Sequence, residues 1–414
     1  MRRVVITGIG IVSPIGIGVW NYWNSLIEGM SGIRIAKGIP VDGLPCKIAS
    51  QVLDFKPENY VSKENFNIVN RGGQFAIASS NLAIQDSNLK IDNEDPYRLG
   101  VCVGTAIGNL REILMMATDY FTRKGEKLRQ TKSLNNLNID GFINAICNET
   151  KFYGYNLTPS TGCCSGNMAI AIARDIITDG KADVMLAGGV DLIVSWELLT
   201  VFCQIKSLST SFNEEPEKAS RPFDAKREGF ILGESAGMVV LEELGHALKR
   251  NATIYAEVLD YGLTNDCGKL IGLDPDEKTT ARAISDCLIS SGLKVEDVDY
   301  YCANAHSAYV ADLREAKAIR KIFGDYADEI NISSIKSMIG HSMAGGSALQ
   351  VITSALAIYT NMIPPTLNYE NPGEGCYFKR ISKEAVSKEV NTSIATSLGL
   401  GGTAIALALK KFGG

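Results

Sequence analysis

Thr161-Gly162-Cys163-Cys164-Ser165-Gly166-Asn167-Met168-Ala169-Ile170-Ala171-Ile172-Ala173 is a turn of small residues running into an apolar segment. Apolar positions 168, 172, 173, 176 and 177 recur at helical spacing. Leu99–Gly104 before the segment and Asp183–Ala187 after it are short β-rich runs, so it predicts a helix between strands in an α/β protein. Cys163 then opens that helix, where free backbone N–H groups favour thiolate over thiol, and thiolate is the nucleophile. The competing reading is a small apolar residue packing the helix start, since free cysteine is commonly buried.

The rest of the chain extends the pattern. Arg3–Thr7 reads as a first buried strand followed by a turn, its apolar run broken by Gly8, Gly10, Pro14 and Gly16. Further on, Ile254–Leu259, Val298–Ala303 and Ile330–Ser333 read as strands, with Lys278–Ser291 and Leu313–Ile322 as the helices between them. The layout of the first part is echoed in the second. Asn213–Ser220 is polar but short, a loop and not a linker. One unit of two similar halves is expected, residues 1–252 and 253–414, meeting at a seam near residue 252.

With 45% hydrophobic and 21% charged residues over 414 positions, the composition is that of a soluble globular chain. A net charge of −5 and the lack of a Lys/Arg block argue against nucleic-acid binding. The ten cysteines form no CxxC pair, which points to neither a metal site nor a disulfide framework, and the default is a reduced, cytoplasmic protein. No apolar run reaches membrane-spanning length, and the N-terminus lacks a convincing cleavage site.

Only three histidines are present. His246 lies in a polar stretch and reads as a surface residue. His306 follows Tyr300-Tyr301-Cys302-Ala303 through Asn304-Ala305, at the C-terminal end of a strand, where ligands bind in open α/β sheets. His341 ends Lys336-Ser337-Met338-Ile339-Gly340-His341, just past another strand. Each alone fits a structural histidine equally well. Two at strand ends beside a helix-start cysteine suit an acyl-transfer site.

Six motifs in order carry a resemblance that runs end to end. They are Val4-Val5-Ile6-Thr7-Gly8-Ile9-Gly10, Thr161 to Gly166, Ser220-Arg221-Pro222-Phe223-Asp224 with Gly229-Phe230-Ile231-Leu232-Gly233-Glu234, Asn304-Ala305-His306, Lys336 to His341, and Ser397-Leu398-Gly399-Leu400-Gly401-Gly402-Thr403. The chain resembles the elongating β-ketoacyl-acyl carrier protein synthases of fatty acid and type II polyketide synthesis. The resemblance implies a thiolase-like fold of five α-β-α-β-α layers with two pseudo-equivalent halves, and a homodimer or a heterodimer with a chain-length-factor-like partner. It implies decarboxylative condensation of a Cys-bound acyl chain with malonyl-acyl carrier protein, the substrates arriving on phosphopantetheine and no cofactor being bound by the enzyme.

The resemblance also assigns roles. Cys163 takes the nucleophile position, and Cys164, about 100° further round a helix, packs beside it. His306 and His341 match the paired histidines that stabilise the thioester enolate. Lys336 matches the lysine of that pocket and Glu315 its acidic neighbour, a counter-charge. The backbone N–H groups of Cys163 and Leu400 match the oxyanion hole, and Ile107 and Phe202 fall where the family lines its acyl pocket.

The chain departs from the family in three places. The hydroxyl-bearing loop that follows the second-half histidine is replaced by Ser307-Ala308-Tyr309-Val310-Ala311. A second segment on the pantetheine side is replaced by Lys269-Leu270-Ile271-Gly272-Leu273, and the gate phenylalanines by Leu398 and Leu400. An intact centre with an altered arm tunnel and gate suggests a specialised polyketide or unusual fatty acid pathway, against a housekeeping elongation synthase. A noncatalytic chain-length factor or a decarboxylase-only relative would lack the cysteine. A thiolase would carry a second catalytic cysteine near the C-terminus, where the last one here is Cys376.

Overall fold

Strands without a polar face must be covered on both sides, and Val4–Ser13 and Val184–Leu192 are buried at every position. The computed structural model describes residues 2–122, 133–267 and 276–413. Among the described residues the spine is an eleven-stranded mixed sheet. Five of its strands lie in the first half: β1 (Val4–Ser13), β2 (Leu99–Gly104), β3 (Asn156–Leu157), β4 (Val184–Leu192) and β5 (Glu234–Glu243). Five more lie in the second: β6 (Ala256–Asn265), β7 (Tyr300–Cys302), β8 (Asn331–Ser333), β9 (Thr392–Leu398) and β10 (Thr403–Lys410). A two-residue strand, Gly16–Ile17, hangs on β1.

The order across the sheet is β8-β7-β9-β10-β6-β1-β5-β4-β2-β3. Each half therefore repeats one arrangement, third-second-fourth-fifth-first. Strand directions repeat as well. In the first half β2 is parallel to β3 and β4, while β5 is antiparallel to β4 and β1. In the second, β7 is parallel to β8 and β9, while β10 is antiparallel to β9 and β6. The halves join through a short antiparallel ladder, Val4 opposite Val258 to Ile6 opposite Ala256.

Helices make the other three layers. In the first half α1 (Arg71–Ser87), α2 (Leu110–Thr122), α3 (Gly141–Thr150), α4 (Ser165–Thr178) and α5 (Trp196–Gln204) follow in order. In the second come α6 (Lys278–Ser290), α7 (Tyr309–Phe323) and α8 (Met343–Thr360). Helix α1 covers β1 and β5 from outside, and α6 covers β6 and β10. Helices α4 and α8 hold equivalent places in the two halves and pack on each other, α4 against β2 and β4, α8 against β4, β5 and β9. Helix α8 is buried without a break from Met343 to Ile358, as an all-round apolar helix must be. The result is the expected α-β-α-β-α stack of two echoing halves.

The elements differ from the sequence expectation in instructive ways. The first strand does not stop at Gly8 but continues to Ser13, with a register shift between Ile6 and Gly8. A Cβ on Gly8 or Gly10 would lie 2.3 Å from Ala83 O or 1.8 Å from Ser79 O, so these glycines let α1 rest directly on β1. Asp183–Ala187 and Ile254–Leu259 are the leading parts of the longer β4 and β6, and β5, β9 and β10 complete the halves.

Candidate active site

Cys163 lies in a tight turn, Gly162–Cys164, that feeds α4. Gly162 takes φ 67° there, a left-handed conformation open to glycine. Ser165 locks the turn, its Oγ donating to Gly162 O at 2.7 Å and accepting from Thr161 N at 2.8 Å. The sulfur is almost fully buried, and burial pushes its thiol up to about 11. The Lys336 charge and the backbone N–H groups of Leu400 and Cys163 itself pull the other way without prevailing. The helix start thus does favour thiolate, as the sequence led us to expect, but desolvation is the larger effect. Cys164 is buried in the central core, its Sγ against Thr403 O at 3.4 Å.

His341 reaches this sulfur, and His306 stacks on His341. His306 follows β7, where Asp312 accepts its backbone N–H at 2.9 Å and that of Ser307 at 3.1 Å. His341 follows the helical turn Lys336–Ile339 and brings Nε2 to 3.3 Å from Cys163 Sγ. The two imidazoles lie with centroids 4.9 Å apart and planes 20° from parallel. Phe230 faces both rings, 5.5 Å from His306 and 5.3 Å from His341. Burial and the charge of Lys336 lower His306 to about 3 and His341 well below the usual histidine range. Both are therefore neutral near pH 7, each with one N–H to give. His341 Nδ1 is buried with no partner. An empty acceptor is better tolerated than an unpaired buried N–H, so the hydrogen belongs on Nε2, aimed at the sulfur.

Lys336 and Glu315 are both buried but do not form an ion pair with each other. Lys336 Nζ donates to Asn304 O at 2.6 Å and Asn304 Oδ1 at 2.9 Å. Glu315 accepts from Asn304 N at 2.8 Å, Ala305 N at 2.7 Å and Thr396 Oγ1 at 2.6 Å. The carboxylate expected as a counter-charge thus meets Lys336 only indirectly, both being bound to the Asn304-Ala305 segment. Around the sulfur, Cys163 shares a buried apolar cluster with Ile193, Leu198, Phe230 and Met343, against which Ile107 and Phe202 pack. Phe202 meets Phe230 edge-on at 5.6 Å. Asp191, at the end of β4, secures this wall by accepting from Thr105 Oγ1, Ala106 N, Ile107 N and, on α8, Ala344 N.

One sulfur, two neutral imidazoles and two backbone donors beside a buried apolar cluster can take up an acyl group and stabilise an oxyanion. Known proteins of similar sequence bear on what that chemistry is. The family model for the beta-ketoacyl synthase N-terminal domain matches residues 1–247, and that for the C-terminal domain matches residues 255–370. The chain belongs to the β-ketoacyl synthase family. It is an acyl-transferring enzyme that makes carbon–carbon bonds.

Among its relatives, the 3-oxoacyl-[acyl-carrier-protein] synthase 2 of Coxiella burnetii is 37% identical over 410 residues, covering 99% of each chain. The putative polyketide beta-ketoacyl synthase 1 of Streptomyces halstedii is 34% identical over 99% of this chain and 98% of its own. In structure, the ishigamide ketosynthase/chain length factor superimposes with a TM-score of 0.93 at 30% identity, each chain covered completely. A type II polyketide ketosynthase solved with its acyl-carrier protein and a hexaketide gives 0.91 at 29%, again over the whole of both chains.

The remaining site residues of this synthase fall as follows. Leu398 ends β9 with its side chain buried against Ala283 and Ala404, and its N–H donates to Asn304 Oδ1 at 3.0 Å. Leu400 lies in the next turn with its side chain 46% exposed. Lys269–Leu273 lie outside the described residues. Met343, Phe230, Asp312 and Asp191 were not singled out from the sequence. Phe230 stands inside a quoted motif and Asp312 directly follows the Ser307–Ala311 segment, but nothing local marks Met343, whose Sδ sits 3.0 Å from Cys163 Sγ on a backbone at φ 46°. His246 is not a free surface residue. Its Nδ1 meets Glu242 Oε1 at 2.5 Å and its Nε2 meets Glu94 Oε2 at 2.9 Å, which pushes the ring up to about 9. The polar stretch around it supplies one partner, Glu242, and a distant turn supplies the other, Glu94, 152 residues away. No described helix is long and apolar enough to cross a membrane.

Proposed function

We propose that this chain extends an acyl group held as a thioester on Cys163, taking two carbons from malonyl-acyl carrier protein. The observation that carries the reading is the convergence of His341 Nε2 on Cys163 Sγ at 3.3 Å with His306 stacked behind it. In the first step Cys163 attacks the carbonyl of an acyl thioester on a carrier's phosphopantetheine. The N–H groups of Cys163 and Leu400 hold the oxyanion. The pantetheine sulfur leaves and takes the thiol's proton. In the second step the malonyl thioester oxygen accepts hydrogen bonds from both imidazoles. The bond to the carboxylate breaks, carbon dioxide departs, and its electron pair becomes the enolate. Enolate carbon then attacks the Cys163-bound carbonyl, and collapse of the adduct expels the Cys163 thiolate and leaves a β-ketoacyl carrier. The thiolate regains a proton from solvent.

On this reading residues 1–252 bring the nucleophile, Ile107 and Phe202, while 253–414 bring His306, His341, Lys336, Glu315 and the Leu398–Leu400 gate. The partners are an acyl carrier protein and a second ketosynthase chain, identical or of the chain-length-factor kind, in the cytoplasm. Cys163→Ala should abolish covalent loading by an acyl-carrier mimic; persistent loading refutes the nucleophile. His306→Ala or His341→Ala should spare loading and lower decarboxylative condensation. The altered gate and arm tunnel favour a specialised polyketide or unusual fatty acid pathway. Equal or better turnover with a fatty-acid carrier than with a carrier encoded nearby would sink that part and leave a housekeeping elongation enzyme.

A further inference from the structure

Asn304 Oδ1 receives two groups that can only donate, Lys336 Nζ at 2.9 Å and the Leu398 backbone N–H at 3.0 Å. That prong of the amide must be the oxygen. The other prong, Nδ2, therefore faces His306 Nδ1 at 3.2 Å. An amide NH2 can only donate, so His306 Nδ1 must present its lone pair. The ring is neutral, and its single hydrogen is left on Nε2. The opposite tautomer would set N–H against N–H inside the protein, with only the Asn304 carbonyl, already taken by Lys336 Nζ at 2.6 Å, to accept from the ring.

We infer that Asn304 is a positioning residue that selects the Nε2–H tautomer of His306, with Lys336 acting through it by fixing which way its amide faces. The inference rests on the reading of His306 as a donor to the malonyl thioester. It gives Lys336 a task that needs no contact with substrate. Glu315 serves the same end by clamping the N–H groups of Asn304 and Ala305. The Leu398 N–H on the same oxygen also ties the histidine to the strand end from which the Leu400 turn departs.

The test sets Asn304→Asp against Asn304→Ala. The aspartate is nearly isosteric and keeps an acceptor for Lys336, but its second oxygen demands a proton from His306 Nδ1 and so reverses the tautomer. Malonyl decarboxylation should fall about 100-fold, the cost of losing one oxyanion donor, while Cys163 loading persists. The alanine leaves both tautomers open and should lose less. A merely structural role predicts the reverse order, and that order overturns the inference. The 15N spectrum of histidine-labelled protein, with His306 assigned by a His306→Gln variant, gives a readout free of activity. Nε2–H in the unmutated enzyme and Nδ1–H in Asn304→Asp are expected; Nδ1–H in the unmutated enzyme refutes the inference even if no variant folds. A His306→Ala enzyme that still decarboxylates at full rate would instead sink the donor role itself, whatever the tautomer.

Discussion

The reactivity of Cys163 toward a small alkylating agent should keep rising with pH well past neutrality. Burial sets the thiol at about 11, against Lys336 and two backbone N–H groups. At pH 7.5 roughly one thiol in three thousand is then ionised, where an ordinary thiol near 8.5 is about one-tenth ionised. The expected rate is about 300-fold below that of a free thiol, before any steric hindrance. A helix terminus is worth about 2 kcal/mol at most, a factor of about 30 in thiolate population, which does not bring the group to neutrality. Iodoacetamide labelling of Cys163, followed by peptide mass spectrometry from pH 6.5 to 9.5, should give a rate climbing about tenfold per pH unit with no plateau. Lys336→Met should slow it further at every pH. A plateau below about pH 8.5 would refute the reasoning: the N–H groups and the cation would outweigh desolvation, and the enzyme would hold a standing thiolate.

Three further outcomes are expected. Leu400→Pro removes the proposed oxyanion N–H and should lower acyl transfer to Cys163 by about 100-fold, while Leu400→Ala, which keeps it, should load normally; single-turnover loading measures both. Met343→Ala clears the side chain against Cys163 Sγ and should let bulkier acyl groups accumulate on the cysteine, read by intact mass in competition between short and branched donors. His246 is raised to about 9, so its bonds to Glu242 and Glu94 contribute stability that is complete below about 6.5 and is lost as pH rises through about 9. Thermal midpoints at constant ionic strength should therefore drop between pH 7 and 9.5, and His246→Gln should flatten that drop.

What could be read from the sequence was what is carried by ordered local motifs. Cys163, Lys336 and His341 each sit in a short glycine-marked stretch at an element's edge, His306 sits just past a strand in the stretch Asn304-Ala305-His306, and the fold brings these stretches together. The α/β alternation was legible for the same reason, because apolar runs and helical spacing are local. Strand β5 escaped notice because Gly237 interrupts it; a Cβ there would come within 3.0 Å of Ile352 Cδ1, so the glycine makes room for α8, a partner more than a hundred residues away. Met343 and the amide of Asn304 were illegible on similar grounds. Their roles depend on which atom ends up opposite them, 180 residues off for the Met343–Cys163 contact. The depth of Cys163 was likewise invisible, since a helix start says where N–H groups point and nothing of how much protein lies above them.

The repeated strand order has a consequence for what meets at the centre of the molecule. Helices α4 and α8 are the same element of the two halves, and their N-terminal ends meet, with a Cβ on Gly166 coming 2.1 Å from Ala344 O. Cys163 stands at one of these ends and His341, with Met343, at the other, 178 positions apart in the chain for the Cys163–His341 pair. Equivalent positions of the two halves thus carry different groups, a sulfur just before one helix and an imidazole just before the other. The joint is also where the halves share one hydrophobic core, with Ile6, Met168 and Val239 packed in the same cluster as Met338, Leu349 and Ile405, so a chain divided at the seam would lose packing in both halves along with the shared centre.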